Sequence, residues 1–297
     1  MLKKLFIATT SFGEYCDALS LLKNKEIIIT KNSLNRKLKK NEIIRLAKNS
    51  DYIIAGTEKY NKTTLAKLKK LKFIFRIGSG IDNIDINFAK KKNIKVLSSK
   101  ITPEKAVAEL VVGLIINLLR KINEHDKNLK TNIWKKEMGF LLHKKTVGII
   151  GYGKIGKYLK KILTNFGTKV IINDIKYKST KSFNLKDLIS RSDIISVHIN
   201  YNKRNKNLLN SNILKMLKKN SILINTSRAE IMDYNFLYKL LKSKKILGAA
   251  LDVFKKEPYQ GKFQKLNNVI LTPHIGSYAR EIRSEMELEA IGAILKS

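Results

Sequence analysis

Three side chains in the second half of the chain are of the types that a hydride-transfer site needs. Each stands just past a run that reads as a buried strand. Arg228 follows Asn225-Thr226-Ser227, Glu257 follows Leu251-Asp252-Val253-Phe254, and His274 follows Leu271-Thr272-Pro273. Oxidising an alcohol with a nicotinamide, or reducing a carbonyl, takes a group that moves the hydroxyl proton and a group that holds the substrate. Histidine is the usual acid or base near neutral pH. A carboxylate bonded to its second nitrogen fixes the tautomer and stabilises the imidazolium form. Arginine grips a carboxylate through two parallel bonds while polarising the carbon–oxygen bond being reduced. Taken singly, His274 reads as a surface histidine, Glu257 as a solvated acid beside Lys255 and Lys256, and Arg228 as a flanking surface charge. Their joint occurrence after strand ends favours the catalytic reading, because open α/β sheets bind ligands outside the carboxyl ends of their strands.

A place for the nicotinamide carrier is written between Thr146 and Asp174. The apolar run Thr146-Val147-Gly148-Ile149-Ile150 leads into Gly151-Tyr152-Gly153-Lys154-Ile155-Gly156, a G-x-G-x-x-G pattern at a strand-to-helix junction. Gly151 suits the tight turn, Gly153 the close approach of backbone to a pyrophosphate, and Gly156 the packing of helix on strand. The helix start at Lys154 and Ile155 offers unpaired N–H groups and the positive end of a dipole to the phosphates. Asp174 lies 18 residues after Gly156 and ends the second strand, where it can accept bonds from both ribose hydroxyls. A carboxylate there repels a 2′-phosphate, so the expected cofactor is NAD rather than NADP. Thr226 and Asp252 stand at strand ends beside the same expected cofactor.

The elements that must position these residues follow an α/β alternation. Over 1–99 the strand patterns are Leu2–Ala8, Glu26–Thr30, Tyr52–Ala55, Phe73–Ile77 and Ile94–Leu97, with helical patterns at Tyr15–Asn24, Asn41–Lys48 and Thr63–Leu71. Residues 102–121 read as one apolar helix with Thr102 as its cap and Pro103 at its first position. The segment Ile122–His143, with the only tryptophan, Trp134, reads as an excursion suited to a subunit contact. From Thr146 the alternation restarts, with strands at 146–150, 169–173, 193–199, 221–225, 246–251 and 268–271, and a final helix at 280–297. Repeated βα units argue for doubly wound parallel sheets. The resulting division is residues 1–99 completed by 280–297, and 100–279.

Composition bounds the remaining classes. At 297 residues, 43% hydrophobic and 28% charged, the chain is long enough for two domains and has a globular balance. Its longest apolar segment, Ala106 to Leu119, is shorter than a membrane span and contains Glu109. A single cysteine, Cys16, leaves no internal disulfide and suits a reducing cytoplasm. The net charge of +36 permits nucleic-acid contact and favours anionic small molecules. The lysines are dispersed over nearly every helix pattern, which reads as a solvated surface rather than a nucleic-acid stripe. No cluster of Cys, His or acidic residues has metal-ligand spacing.

The motifs in order resemble the D-isomer-specific 2-hydroxyacid dehydrogenase family, in its D-3-phosphoglycerate dehydrogenase-like branch. The resemblance runs through Ala55-Gly56-Thr57-Glu58, Arg76-Ile77-Gly78-Ser79-Gly80-Ile81-Asp82-Asn83, Val107-Ala108-Glu109-Leu110, the glycine loop, the Arg228 motif, Leu251-Asp252-Val253-Phe254, and Thr272-Pro273-His274-Ile275-Gly276-Ser277. It implies a flavodoxin-like substrate domain over 1–99 with the last helix, and a Rossmann NAD domain over 100–279 that pairs subunits. It implies that His274 is the acid/base, Glu257 its partner and Arg228 the substrate-orienting cation. Asp174 would hold the adenine ribose, Asp252 would face the nicotinamide amide, and backbone N–H groups at Ser79 and Gly80 would meet the substrate carboxylate. Arg76 would hold a second anionic group such as a phosphate, or else form a structural ion pair. The implied activity interconverts a D-2-hydroxy acid and its 2-oxo acid. 3-Phosphoglycerate comes first, with a glyoxylate- or hydroxypyruvate-type reductase, or a non-catalytic NAD(H)-sensing corepressor-like protein, as alternatives. Two departures stand out: Ala229-Glu230 occupy a place where glycine is common, and Asn200 one where proline is. The first is tolerable if neither residue needs a left-handed backbone.

Overall fold

Strand residues that alternate between two apolar faces need a helical layer on each side, and both sheets of this protein obtain one. The computed structural model describes residues 2–23, 25–78, 80–177 and 182–297. Contacts divide the chain into two compact units, Met1–Pro103 with Ser277–Ser297, and Glu104–Gly276.

The first unit contains β1 (Lys3–Ile7), β2 (Ile27–Lys31), α1 (Lys40–Ala47), β3 (Tyr52–Ala55), α2 (Lys62–Leu65), β4 (Phe73–Arg76), α3 (Ile86–Lys91) and β5 (Lys95–Ser98). The strands are parallel in the order β2-β1-β3-β4-β5, which is the flavodoxin-like winding. Leu5, Ile7, Tyr52, Ile54, Phe73 and Phe75 point to one face, where Met286, Ala290, Ile291 and Ile294 of the C-terminal helix Arg280–Leu295 cover them. Phe6, Ile53 and Ile74 point to the other, against Ile43, Ala47 and Ala89. Glu289 of the C-terminal helix accepts bonds from the Ser99 hydroxyl at 2.5 Å and the Lys100 N–H at 3.0 Å, which ties the segment after β5 to this unit.

Two expected helices are shorter here. Tyr15–Asn24 contributes a 3₁₀ turn over Ala18–Leu22, where the Ser20 hydroxyl bonds the Asp17 carbonyl at 2.6 Å and competes with an α-helical start. Thr63–Leu71 is α-helical only up to Leu65, after which Leu68 and Leu71 bond back three residues. Leu65, Leu68 and Leu71 are all buried, and at three residues per turn a spacing of three lines them up on one side.

The second unit opens with α4 (Glu104–Arg120), which starts after Thr102-Pro103 and ends where Lys121 turns left-handed at φ 52. The stretch read as an excursion contains a further helix, α5 (Ile122–Lys130). There follow β6 (Thr146–Ile150), α6 (Lys154–Asn165), β7 (Lys169–Asn173), α7 (Leu185–Arg191), β8 (Ile194–Val197), α8 (Ser211–Leu214), β9 (Ile222–Asn225), α9 (Tyr234–Lys242), β10 (Gly248–Leu251) and β11 (Val269–Leu271). The sheet is parallel in the order β11-β10-β9-β8-β6-β7, and an isolated parallel bridge from Ile172 to Ser182 extends it beyond β7. With that bridge in the place of a third strand, the winding is the Rossmann order. Val111, Leu114 and Ile115 of α4, with Leu159 and Leu163 of α6, cover Val147, Ile149, Ile194, Ile222 and Ile224. Burying one such leucine is worth about 1.5–3 kcal/mol relative to leaving it exposed. Among the described residues no helix is long and apolar enough to cross a membrane.

Candidate active site

The reversal of strand order lies between β6 and β8, and the glycine loop sits at its carboxyl end. Gly151 has φ +96, a conformation that disfavours any residue with a Cβ, and a Cβ there would also press on the His198 carbonyl. Gly156 lies against the Gly151 carbonyl oxygen so closely that an added Cβ would overlap it. Gly153 faces open space and caps α6 with no side chain of its own, its carbonyl accepting from Lys157 N–H at 2.9 Å. Lys154 is exposed and Ile155 half-buried, and with Gly156 they form the first turn of α6. The Asp174 carboxylate reaches back to this loop, accepting from Tyr152 N–H at 2.6 Å and from Lys176 N–H at 2.7 Å. Tyr152 in turn packs against Tyr177, ring centroids 4.8 Å apart.

Whether these residues fit a dinucleotide can be judged from what is left open. An exposed glycine with free space over it, a helix start without a side-chain cap, and a carboxylate beside them match the pyrophosphate and ribose of NAD. Thr226 Oγ1, just past β9, is buried without a hydrogen-bond partner among the described residues, a polar atom waiting for one. The set fits the cofactor.

Further along the sheet, β10 and β11 lead into the residues expected to react. His274 Nδ1 lies 3.1 Å from Glu257 Oε1, and both side chains are largely covered. Glu257 Oε1 also accepts from Phe254 N–H at 3.2 Å, which turns the carboxylate back toward the strand end. His274 has φ 58, a left-handed conformation uncommon for a side-chain-bearing residue and a mark of backbone held for a purpose. What holds it is Asp252. Fully buried, its carboxylate accepts from Thr272 Oγ1 at 2.6 Å, Ile275 N–H at 2.8 Å and Gly276 N–H at 2.9 Å, clasping the turn on both sides of the histidine. Burial raises the Asp252 pKa above the ordinary aspartate value, against the lowering effect of these bonds. Beside the nicotinamide-facing role implied for it, Asp252 thus anchors the His274 turn.

Arg228 leaves the end of β9, the strand beside β10, with its Nη1 on the Ser227 carbonyl at 2.8 Å. Ala229 and Glu230 continue as a 3₁₀ turn, and neither has a left-handed backbone, so glycine is not required there. Ser227 is tied by its hydroxyl to the Ile199 carbonyl. Asn225 and Tyr234, which sequence reasoning did not single out, form the buried support behind this turn. Asn225 is visible in sequence only as a polar residue ending an apolar strand. His198 ends β8 with Nε2 2.8 Å from Ser196 Oγ, and burial lowers its pKa to about 4, so it is neutral in ordinary conditions.

Ser79 lies outside the described residues, and Gly80 is half-buried. Arg76 is 8% exposed and turned inward, with Nη1 on the Ile77 carbonyl at 2.6 Å. Its guanidinium fills the space beside Gly78 that a Cβ would take. Burial raises the pKa of the Glu58 carboxylate, and the Glu58 and Gly56 N–H groups, then the charges of Lys37 and Arg76, act against that rise. No group of metal-binding side chains occurs among the described residues.

Comparison with known proteins agrees with this geometry. Residues 112–276 match the family described as D-isomer specific 2-hydroxyacid dehydrogenase, NAD binding domain. A glyoxylate reductase of Thermococcus litoralis is 38% identical over 77% of this chain and 75% of its own length. A hydroxypyruvate reductase of Thermotoga maritima is 33% identical over 94% of each chain. A D-3-phosphoglycerate dehydrogenase of Methanocaldococcus jannaschii is 34% identical over 82% of this chain, which spans 49% of that longer protein.

Proposed function

The chain belongs to the D-isomer specific 2-hydroxyacid dehydrogenase family, and from that premise we propose that it reduces a small unphosphorylated 2-oxo acid with NADH, glyoxylate to glycolate or hydroxypyruvate to D-glycerate. The observation that carries the reading is the contact between His274 and Glu257 on a turn anchored by Asp252. When bound at the glycine loop, NADH supplies the hydride. His274 gives the proton at Nε2 to the carbonyl oxygen, and Glu257 holds the Nδ1 proton and balances the charge of the imidazolium. Arg228 orients the substrate carboxylate. Gly151, Gly153, Lys154, Ile155 and Gly156 receive the pyrophosphate, Asp174 the ribose, and Thr226 Oγ1 a polar edge of the cofactor.

The preference for an unphosphorylated acid is supported by the likeness to a glyoxylate reductase and a hydroxypyruvate reductase, and by the buried Arg76, whose Nη1 is spent on the Ile77 carbonyl. Oxidation of 3-phosphoglycerate, for serine biosynthesis, is the second reading, favoured by the likeness to D-3-phosphoglycerate dehydrogenases. A panel of 2-oxo acids assayed by NADH loss decides between them. Glyoxylate and hydroxypyruvate should be turned over with higher kcat/KM than phosphohydroxypyruvate; the reverse order would replace the first reading by the second. A protein that binds NADH and turns over no acid of the panel would leave a sensor, the corepressor-like alternative. Asp174 should make NADPH a poorer substrate than NADH, and equal KM values would remove its ribose role.

A homodimer through the NAD-binding unit is part of the proposal. Trp134 at 81%, Met138 at 90% and Leu141 at 69% exposure make an apolar surface that a second copy would cover. Sedimentation at two concentrations would test it. The dispersed lysines argue for no nucleic-acid partner, and the free Cys16 suits the reducing cytoplasm.

A further inference from the structure

The last backbone bond between the strand ends carrying Arg228 and Glu257 runs from Asp252 N–H to the Asn225 carbonyl at 3.0 Å. Beyond it the two chains leave the sheet, and ladder bonds no longer set their separation. Side chains take over. Asn225, with no exposed surface, accepts from Ser227 N–H at 3.0 Å. It donates through Nδ2 to the Arg228 carbonyl at 3.1 Å and to the Tyr234 hydroxyl at 3.2 Å. That hydroxyl donates in turn to the Val253 carbonyl at 2.8 Å. Tyr234 is the first residue of α9, whose start is fixed by Asp233 accepting from Asn235 and Phe236 N–H at 3.0 Å. Its ring meets Phe263 edge-on, centroids 5.7 Å apart. Phe254 and Tyr259, on either side of Glu257 in sequence, stack at 4.2 Å.

We infer that Tyr234, acting with Asn225, is a positioning residue that sets the distance between the Arg228 turn and the Val253–Glu257 segment, so that the guanidinium and the Glu257–His274 pair engage one 2-oxo acid together. This rests on the reading under Proposed function. A tyrosine needed only for packing would satisfy its hydroxyl on one loop, whereas this one joins both. Burial also holds its pKa far above the ordinary tyrosine value, so the phenol stays a donor at any working pH and takes no part in proton transfer. Without the hydroxyl, the Val253 carbonyl loses this donor and one Asn225 N–H loses its acceptor, both in a dry interior, and the loops are free to shift.

The test is Tyr234→Phe in the whole protein, with Tyr238→Phe as control. Tyr238 packs on the same Phe263 ring, at 5.8 Å, with its hydroxyl outside this chain of bonds. For the best 2-oxo acid, kcat/KM should fall on the order of ten- to a hundredfold in Tyr234→Phe, as small misplacements of reacting groups do. The dissociation constant of NADH should stay within about twofold of wild type, separating substrate alignment from cofactor binding. Amide exchange should quicken in both 225–229 and 253–257, and the control should match wild type throughout. Wild-type kcat/KM, unchanged exchange, or an equal loss of NADH affinity would each overturn the inference. The exchange measurement needs no turnover. If wild-type protein reduces no 2-oxo acid, the functional reading fails by itself, and exchange still decides whether Tyr234 joins the two segments.

Discussion

His274 Nδ1 and Glu257 Oε1 stand 3.1 Å apart although the residues come from different loops, 17 positions distant in the chain. A carboxylate at that nitrogen leaves Nε2 as the atom that carries the exchangeable proton and stabilises the ring when it is charged. Replacing it by a neutral amide keeps the shape and removes the charge. Glu257→Gln should lower kcat/KM for the 2-oxo acid on the order of a hundredfold while the protein melts near the wild-type temperature. Steady-state rates and a thermal melt on the same preparation check this, and unchanged turnover would dismiss Glu257 from the reaction.

Asp252 presents carboxylate oxygens to three donors around His274. In Asp252→Asn, an NH₂ group must replace one acceptor and confront a donor. The cost should be about 1–3 kcal/mol of stability, with activity falling further than stability because the histidine turn loosens. Urea unfolding and kcat measure the two effects. Loss of stability with full activity would mean that the turn holds its shape unaided.

The two later glycines of the loop should fail differently. Gly156→Ala drives a methyl into the Gly151 carbonyl, so the variant should be destabilised before any ligand is added. Gly153→Ala meets open space and should fold normally, yet bind NADH on the order of tenfold more weakly, because the methyl occupies the approach of the pyrophosphate. Melting temperatures paired with NADH titration distinguish the cases; normal NADH affinity in Gly153→Ala would move the cofactor elsewhere.

His198 links pH to stability. Its folded pKa is about 4 against an ordinary 6.5, so as pH falls the unfolded chain takes up the proton first. The stabilisation from the neutral ring is complete above 6.5 and is lost progressively between 6.5 and about 4. The loss should be on the order of 1–3 kcal/mol. Urea midpoints followed across that range should fall more steeply for wild type than for His198→Gln, and parallel curves would show that the imidazole is not the source.

How far the sequence reaches can be judged residue by residue. The glycine spacing and the acid ending β7 mark the nucleotide loop, because a tight turn and a helix start are local events fixed by backbone sterics. Alternating apolar strands gave both parallel sheets for a similar reason. Leu65, Leu68 and Leu71 misled, since a helical pattern and a run of three-residue turns bury the same leucines until the core chooses. Arg228, Glu257 and His274 were legible as types at strand ends, but their grouping was not, because the distance between loops depends on which strands lie side by side. The inward turn of Arg76, the grip of Asp252 on the histidine and the bridge from Asn225 through Tyr234 to Val253 are tertiary facts. In the last two a buried polar group finds a partner far along the chain, and no local pattern names that partner. Sequence set the elements and the chemistry on offer. Packing decided which side chains face the reaction and which are consumed in holding the others in place.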